Sequence, residues 1–414
     1  MIIQGTVGLF VFVFLAWLIS ENRSQVRPRI VLAGIALQLI VGLLLLKVPL
    51  FMELFLLLNR VVLSLEESTA AGTSFVFGYL GGGNLPFDEK FPGASFVLAF
   101  RALPLVLVMS ALSSLLFYWN ILPVVVKGFS WALRRTMKLG GAEGLGVSAN
   151  IFVGMVESPL FIRPYISNMT RSELFSLMTC GMATIAGTVM VLYASILSTV
   201  IPNIMGHILT ASIISGPAAV TIAKVMVPET GQLTTGDIVI PAKTVSAMDA
   251  ITKGTLQGVS LLINIVAMLI VLVALVHLIN LVLGLLPVVS SQPITLQRIL
   301  GFIMAPVVFL MGVPWAECPA AGALMGTKTI LNELLAYLEL AALAKDALSP
   351  KSMLIMTYAM CGFANFGSLG IMIGGLSTMA PERRDEIVSL GLRSIVSGTL
   401  STCMTGAVVG IIVR

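Results

Sequence analysis

A chain of 414 residues that is 57% hydrophobic and only 10% charged, with a mean hydropathy of +1.04, is not built for water, since soluble domains carry about 25% charged residues. The net charge of +5 is modest and scattered, with no basic run of the kind that binds nucleic acid. Four cysteines (Cys180, Cys318, Cys361, Cys403) lie far apart in apolar surroundings, which points to packing rather than to a disulfide or zinc framework.

Apolar stretches close to the ~20 residues that cross a bilayer recur from end to end, so the expected fold is an all-α polytopic membrane protein. The runs are continuous rather than alternating, which argues against a β-barrel. Span one covers 1–20; it lacks a basic start and a small-residue cleavage site, so it reads as a retained span rather than a signal peptide. Span two covers 29–48. The short loop between them carries Arg23, Arg27 and Arg29, which places it in the cytoplasm and the N-terminus outside. From Val48 to Gly93 acidic residues outnumber basic ones, which suits the outer face and an interfacial or tilted helix over 50–80 before a GGGN turn at Gly81 to Asn84. Span three (96–122) leads into KGFSWALRRTMK, where Lys127, Arg134, Arg135 and Lys138 alternate with Phe129, Trp131 and Leu133. This pattern predicts a short helix on the cytoplasmic membrane surface, anchored to lipid.

Between Ser148 and Val189 an apolar run is interrupted by Gly154, Glu157 and Pro159. The pieces from Glu143 to Val153 and from Ser158 to Asn168 are each too short to span, so they predict a re-entrant hairpin whose tip lines a protein cavity. Thr170-Arg-Ser-Glu173 is a capping box opening span four (171–201), loosened by Ala183, Thr184, Ala186 and Gly187. Span five is 207–227. Span six, 254–289, is longer than a perpendicular helix needs, so it is expected to tilt. Pro306, Pro314 and Pro319, with Glu317, Lys328, Glu333 and Glu339, then predict a second hairpin over 300–346, entered from outside. Span seven (352–379), a cytoplasmic turn at Pro381 to Glu386 and span eight complete the chain, with the C-terminus outside. The expectation is about eight transmembrane helices plus two opposed re-entrant hairpins.

The segment Gly181 to Gly187 (GMATIAG) aligns with Gly362 to Ser368 (GFANFGS), and a glutamate, Glu157 or Glu333, precedes each. An inverted repeat with broken helices meeting near the midplane is a signature of secondary transporters. A carboxylate between half-length helices in so apolar a chain marks a site. Asn150 and Thr184 either ligate a cation such as Na⁺ together with freed backbone carbonyls, or simply bond neighbouring backbone. Glu157 and Glu333 read as proton carriers, acceptors for an uncharged hydroxyl-bearing substrate, or members of structural ion pairs, Lys328 being the partner offered to Glu333. His207 and His277 read as membrane-end residues, and neither Glu317 nor Arg163 has an evident partner. No HExxH, GxSxG or Walker pattern supports an enzyme.

Three stretches, ANIFVGMVESPLFIRPY (Ala149 to Tyr165), GTKTILNELLAY (Gly326 to Tyr337) and AMCGFANFGSLGI (Ala359 to Ile371), resemble the concentrative nucleoside transporter family. The resemblance runs from about span two to the C-terminus. It implies a homotrimer in the inner (plasma) membrane, driving nucleoside uptake with Na⁺ or, alternatively, with protons. Residues 1–122 and 228–289 would form a scaffold, and 123–227 and 290–414 two transport repeats. Glu333, Asn365 and Ser368 would hold the ribose hydroxyls, with Phe363 and Val189 lining the pocket and the Gly154 to Glu157 tip facing the nucleobase. Na⁺ would be held by the Asn150 and Thr184 side chains and the carbonyls of Val153, Thr184 and Ile185. The family often reads Gly-Gln-Thr-Glu or Gly-Gln-Ser-Glu at this tip, whereas here Met155 and Val156 stand between Gly154 and Glu157. That departure leaves base preference open, and Gly367, often Ser in the family, is a smaller one.

Overall fold

In the computed structural model, which describes residues 2–89, 95–236, 244–288, 293–344 and 346–413, every regular element is helical. The expected end of span six at Val289 and the terminal Arg414 lie outside the described residues. Six helices are long and apolar enough to cross a membrane: Pro28–Lys47, Leu98–Tyr118, Arg171–Leu197, Ile204–Met226, Ala247–Leu283 and Pro381–Ile412. Two expected spans fall short for local reasons. Ile2–Leu18 has 17 residues, and span seven is divided into Pro350–Met360 and Phe366–Met379.

Sequence chemistry sets many of the boundaries. Pro28 opens the second helix at a position whose N–H has no helical partner anyway. The Thr170 hydroxyl accepts from the Glu173 amide at 3.1 Å while Glu173 accepts from the Thr170 amide at 2.9 Å, so the expected capping box forms. Span four stops at Ala183, runs extended through Thr184 to Ala186, and resumes as Gly187–Leu197. The basic stretch lies within a helix, Ile121–Met137, with Trp131 exposed and Arg135 over its ring at 6.0 Å.

The first hairpin has a regular limb, Gly141–Asn150, and a tip at 151–156. Its returning limb is two single turns, Glu157–Leu160 and Arg163–Ile166, because Pro159 and Pro164 interrupt a continuous helix. The second hairpin differs from the expected 300–346. Its limbs are Cys318–Ile330 and Glu333–Ala342, joined by Leu331 and Asn332, while Leu296–Leu310 is a separate helix containing Pro306 without breaking there. Small residues explain that packing. The Gly322 α-carbon lies so close to the Gly301 carbonyl that a side chain there would come within 2.4 Å of its oxygen. The element order of the first repeat therefore recurs: surface or flanking helix, hairpin, broken helix, then Ile204–Met226 or Arg384–Ile412.

The centre of the protein is the bundle of Arg171–Ala183, Ile204–Met226, Pro350–Met360 and Arg384–Ile412. Hydroxyl pairs tie it, Thr179 to Ser397 at 2.7 Å and Ser215 to Thr405 at 3.0 Å. The breaks of the two divided helices touch here. A Cβ on Gly362 would fall 2.9 Å from the carbonyl carbon and oxygen of Ala183, so only glycine permits this approach. At the periphery, the 37-residue helix Ala247–Leu283 packs on Leu105–Tyr118, with Gly254 against the Ser110 carbonyl. Just 6% of its apolar window is buried, against 89% for Ile204–Met226, so it faces outward.

One charged cluster anchors the base of the first hairpin. Lys224 Nζ lies 2.8 Å from Glu143 and 3.1 Å from Glu229, all three buried, and donates to the Ser172 hydroxyl at 3.2 Å. Glu173 adds a second tie, accepting from the Thr234 amide at 2.8 Å and its hydroxyl at 2.6 Å. A separate network at the same end joins Glu21 to Arg171 at 2.9 Å and to Arg393, while Arg383 donates to the carbonyls of Ile166 and Met169.

Candidate functional site

The polar centre is built at the starts of two half-helices. Asn332 caps Glu333–Ala342 by accepting from the Leu335 amide at 2.9 Å, which fixes Glu333 in the first turn. Asn365 caps Phe366–Met379 by accepting from the Ser368 amide at 2.8 Å. Its amide group then donates to Glu333 Oε2 at 3.0 Å, while the Tyr193 hydroxyl donates to Glu333 Oε1 at 2.6 Å. Each carboxylate oxygen thus has one protein donor and retains lone-pair capacity for a further hydroxyl. The two helix starts add favourable positive potential.

Three expected substrate residues, Glu333, Asn365 and Ser368, are therefore brought together. Val189 lies one turn before Tyr193 on Gly187–Leu197, so it shares that face, and Phe363 is half-buried in the second break. The first hairpin tip approaches from its own side. Val156 packs on Gly375, in the helix that carries Ser368, and Met155 packs on Gly181. Glu157 folds back over Gly154, whose missing side chain leaves the room, and its residue is exposed. Among the described residues no hydrogen bond joins Glu157 to Glu333.

The ion-pair reading of Glu333 with Lys328 is not realised. Lys328 instead donates to the Thr402 hydroxyl at 3.4 Å, and Glu333 is taken by Tyr193 and Asn365. Glu317 does have a partner: it accepts from the Ser349 amide and hydroxyl, both at 3.1 Å, tying the second hairpin to the start of span seven. Arg163 is exposed; His207 lies 3.0 Å from the Tyr358 hydroxyl, and His277 is exposed on the long helix.

The candidate cation residues gather at the end of Gly141–Asn150. The Asn150 Nδ2 group donates to the Leu177 carbonyl at 3.4 Å, whereas its Oδ1, buried, has no hydrogen-bond partner. The Thr184 hydroxyl lies 2.9 Å from the Asn150 carbonyl and 2.8 Å from that of Cys180. Among the described residues no hydrogen bond reaches the carbonyls of Val153, Thr184 or Ile185. Buried oxygens without donors are costly unless something positive meets them, and several neutral oxygens are the donor set that a hard monovalent cation takes.

Tyr193 is the residue of this polar centre that sequence reasoning missed. Its one signal was a phenol inside an otherwise apolar helix, where a buried hydroxyl needs a partner.

Models of three families match the chain: Na⁺ dependent nucleoside transporter N-terminus over residues 7–80, nucleoside recognition over 99–200, and Na⁺ dependent nucleoside transporter C-terminus over 207–410. Nucleoside permease NupC of Helicobacter pylori is 34% identical over 414 residues, covering 99% of this chain and 97% of that protein. Solute carrier family 28 member 3 of Homo sapiens is 36% identical over 424 residues, covering 98% of this chain and 59% of the human one. Among solved structures, CNTnw in an inward-facing substrate-bound state superimposes with a TM-score of 0.91 at 33% identity, covering 100% of this chain and 99% of that one.

Proposed function

This chain belongs to the concentrative nucleoside transporter family, a membrane transporter rather than an enzyme, and from that premise we propose that it is a symporter coupling inward Na⁺ movement to nucleoside uptake. The observation that carries the substrate reading is the buried Glu333 carboxylate, held by Tyr193 and Asn365 with Ser368 one turn away. This arrangement suits the vicinal hydroxyls of a ribose, which donate to carboxylate and accept from amide. Val189 and Phe363 supply apolar walls, and the Gly154 to Glu157 tip faces the base.

In this reading Na⁺ is cargo. The unpartnered Asn150 Oδ1 and the free carbonyls of Val153, Thr184 and Ile185, with the Thr184 hydroxyl, fit a hard cation. Loading that place would order the hairpin tip that the base then contacts. The working partition keeps 1–122 and 228–289 as scaffold and 123–227 and 290–414 as inverted transport repeats, assembled as a homotrimer with both termini outside the plasma membrane.

Purified protein in liposomes, given labelled uridine or adenosine with Na⁺ or choline outside, tests the proposal. Concentrative uptake only with Na⁺ is expected. Uptake that ignores Na⁺ and follows a pH gradient selects proton coupling instead, and no uptake under either gradient overturns both.

A further inference from the structure

The helix Ile121–Met137 has two distinct faces. Pro123, Val126, Ser130, Leu133 and Met137 are buried, whereas Ile121, Val124, Val125 and Trp131 are exposed. Lys127, Trp131 and Arg134, at spacings of four and three, form a line along one edge of the exposed face. Arg135 stands beside that line, its guanidinium over the Trp131 ring, and Lys138 lies just past the helix end. An apolar strip edged by cations and a tryptophan is the pattern of a helix that lies in a lipid interface.

Among the described residues nothing neutralises this edge: Lys127, Arg134, Arg135 and Lys138 are all exposed and make no ion pair. Pro28–Lys47 packs on the same helix, with Gly34 against Met137, and brings exposed Arg27 and Arg29 to this end. They make no ion pair either. Glu21, Glu143, Glu229 and Glu386 are already held by Arg171, Arg393, Lys224 and Arg383.

The buried side of the helix grips the first hairpin. Phe129 meets Phe152, in the tip, edge to face at 5.0 Å. Val126 packs with Ala149, Val153 and Phe161. The Arg134 stem crosses Gly144, where a Cβ would sit 2.5 Å from its Cγ. A shift of this helix is therefore felt at the tip.

We propose that the exposed face of Ile121–Met137 is a docking surface for acidic phospholipid headgroups, and that lipid seated there holds the first hairpin in its working position. Phosphate oxygens take the guanidinium and ammonium groups, acyl chains cover Ile121, Val124 and Val125, and Trp131 sits at the boundary. A soluble anion would meet the charges but leave that apolar strip in water. In a neutral bilayer the cations repel one another without a partner, and the helix holds the hairpin less firmly. The effect on transport rests on the nucleoside-transport reading above; headgroup binding does not.

Two measurements on the full chain test it, for wild type and for Lys127→Gln combined with Arg135→Gln. Each Lys or Arg near an acidic surface strengthens binding about fivefold, so the double variant should bind about 25-fold more weakly. In detergent, phosphatidylglycerol should raise the wild-type melting temperature more than phosphatidylcholine does. The midpoint of that rise should move to about 25-fold more lipid in the variant. Uridine uptake by wild type should be at least about fivefold faster in vesicles of equal parts phosphatidylcholine and phosphatidylglycerol than in phosphatidylcholine alone. The variant should lose most of that advantage and match wild type in the neutral vesicles. Equal behaviour of wild type in both lipids, or a variant that keeps the full advantage, overturns the proposal. So does recovery of the fast rate in neutral vesicles on adding inorganic phosphate, which would make the occupant a soluble anion. A lipid-specific melting shift with unchanged uptake overturns the link to the hairpin. A wild type that takes up no nucleoside in either lipid sinks the transport reading, and the melting shift alone then decides the headgroup site. Should the double variant fail to elute as folded protein, Arg135→Gln alone is read in the same way, with a shift of about fivefold.

Discussion

Replacing Tyr193 by phenylalanine removes one oxygen and leaves the ring, including its packing against Tyr337 at 5.1 Å. What disappears is the 2.6 Å hydrogen bond to Glu333 Oε1. A hydrogen bond to a charged group contributes about 1.5–3 kcal/mol net, which is roughly 10- to 150-fold in an equilibrium constant. The carboxylate is not left bare, because Asn365 still donates to Oε2 at 3.0 Å. The lower end of the range therefore applies, a rise in KM of about tenfold. With Glu333 assigned to the sugar as proposed, the rise should be the same for uridine and adenosine, with the maximal rate little changed. Initial-rate uptake into proteoliposomes measures both parameters, and size-exclusion chromatography confirms that the variant is folded. A KM within about twofold of wild type, or a loss confined to one base, would refute the assignment of Tyr193 as the residue that aims Glu333.

Glu333→Ala should abolish uptake of purine and pyrimidine nucleosides alike; normal transport by this variant would remove Glu333 from the ribose site. Met155→Gln combined with Val156→Thr restores hydrogen-bonding groups at the first tip and should shift the ratio of adenosine to uridine uptake more than the overall rate. An unchanged ratio would mean that the tip does not read the base. Gly362→Ala drives a methyl group against the Ala183 carbonyl, where a Cβ would sit 2.9 Å from its carbon and oxygen, so the melting temperature should fall in step with a loss of about 1–3 kcal/mol. Thermal unfolding in detergent checks it. At the network around Glu21, the Arg171 hydrogen bond, reinforced by Arg393, holds the Glu21 carboxyl below the usual carboxylate range. That stabilisation is present above the ordinary carboxylate pKa and is lost as the pH falls through the lowered folded value. Glu21→Gln should therefore be less stable than wild type at neutral pH and indistinguishable from it in strong acid; a difference that persists in acid would assign the effect to something other than the charge.

Hydropathy alone located most of the spans, because the bilayer demands long apolar stretches whose backbone is bonded internally. The broken helices were legible for a similar reason. Ala183 to Gly187 and Gly362 to Ser368 are stretches where small residues and one polar residue interrupt the apolar run, and both break the helix. The capping box at Thr170 declares itself within four residues. What escaped depends on partners far apart in the chain. The second hairpin was drawn too long because Pro306 looked like a break, whereas packing of Gly301 on Gly322 keeps Leu296–Leu310 helical and separate. Of the site residues named from the family pattern, Asn365 bonds Glu333 and Ser368 bonds Asn365, whereas the partner of Tyr193 could not be read locally, since it lies 140 residues away. Glu317 was left without a role for the same reason, its partner Ser349 lying beyond the whole hairpin.

The cluster of Lys224 with Glu143 and Glu229 has a bearing on how the chain is made. Glu143 is buried, and the lysine that pairs with it belongs to a helix synthesised later. A nascent chain that ends before Lys224 carries that carboxylate without its counter-charge, a state that the membrane interior penalises heavily. Glu143 therefore meets its counter-charge only once Ile204–Met226 is in place beside the first hairpin. A single lysine late in the chain thereby completes the anchor of the first hairpin.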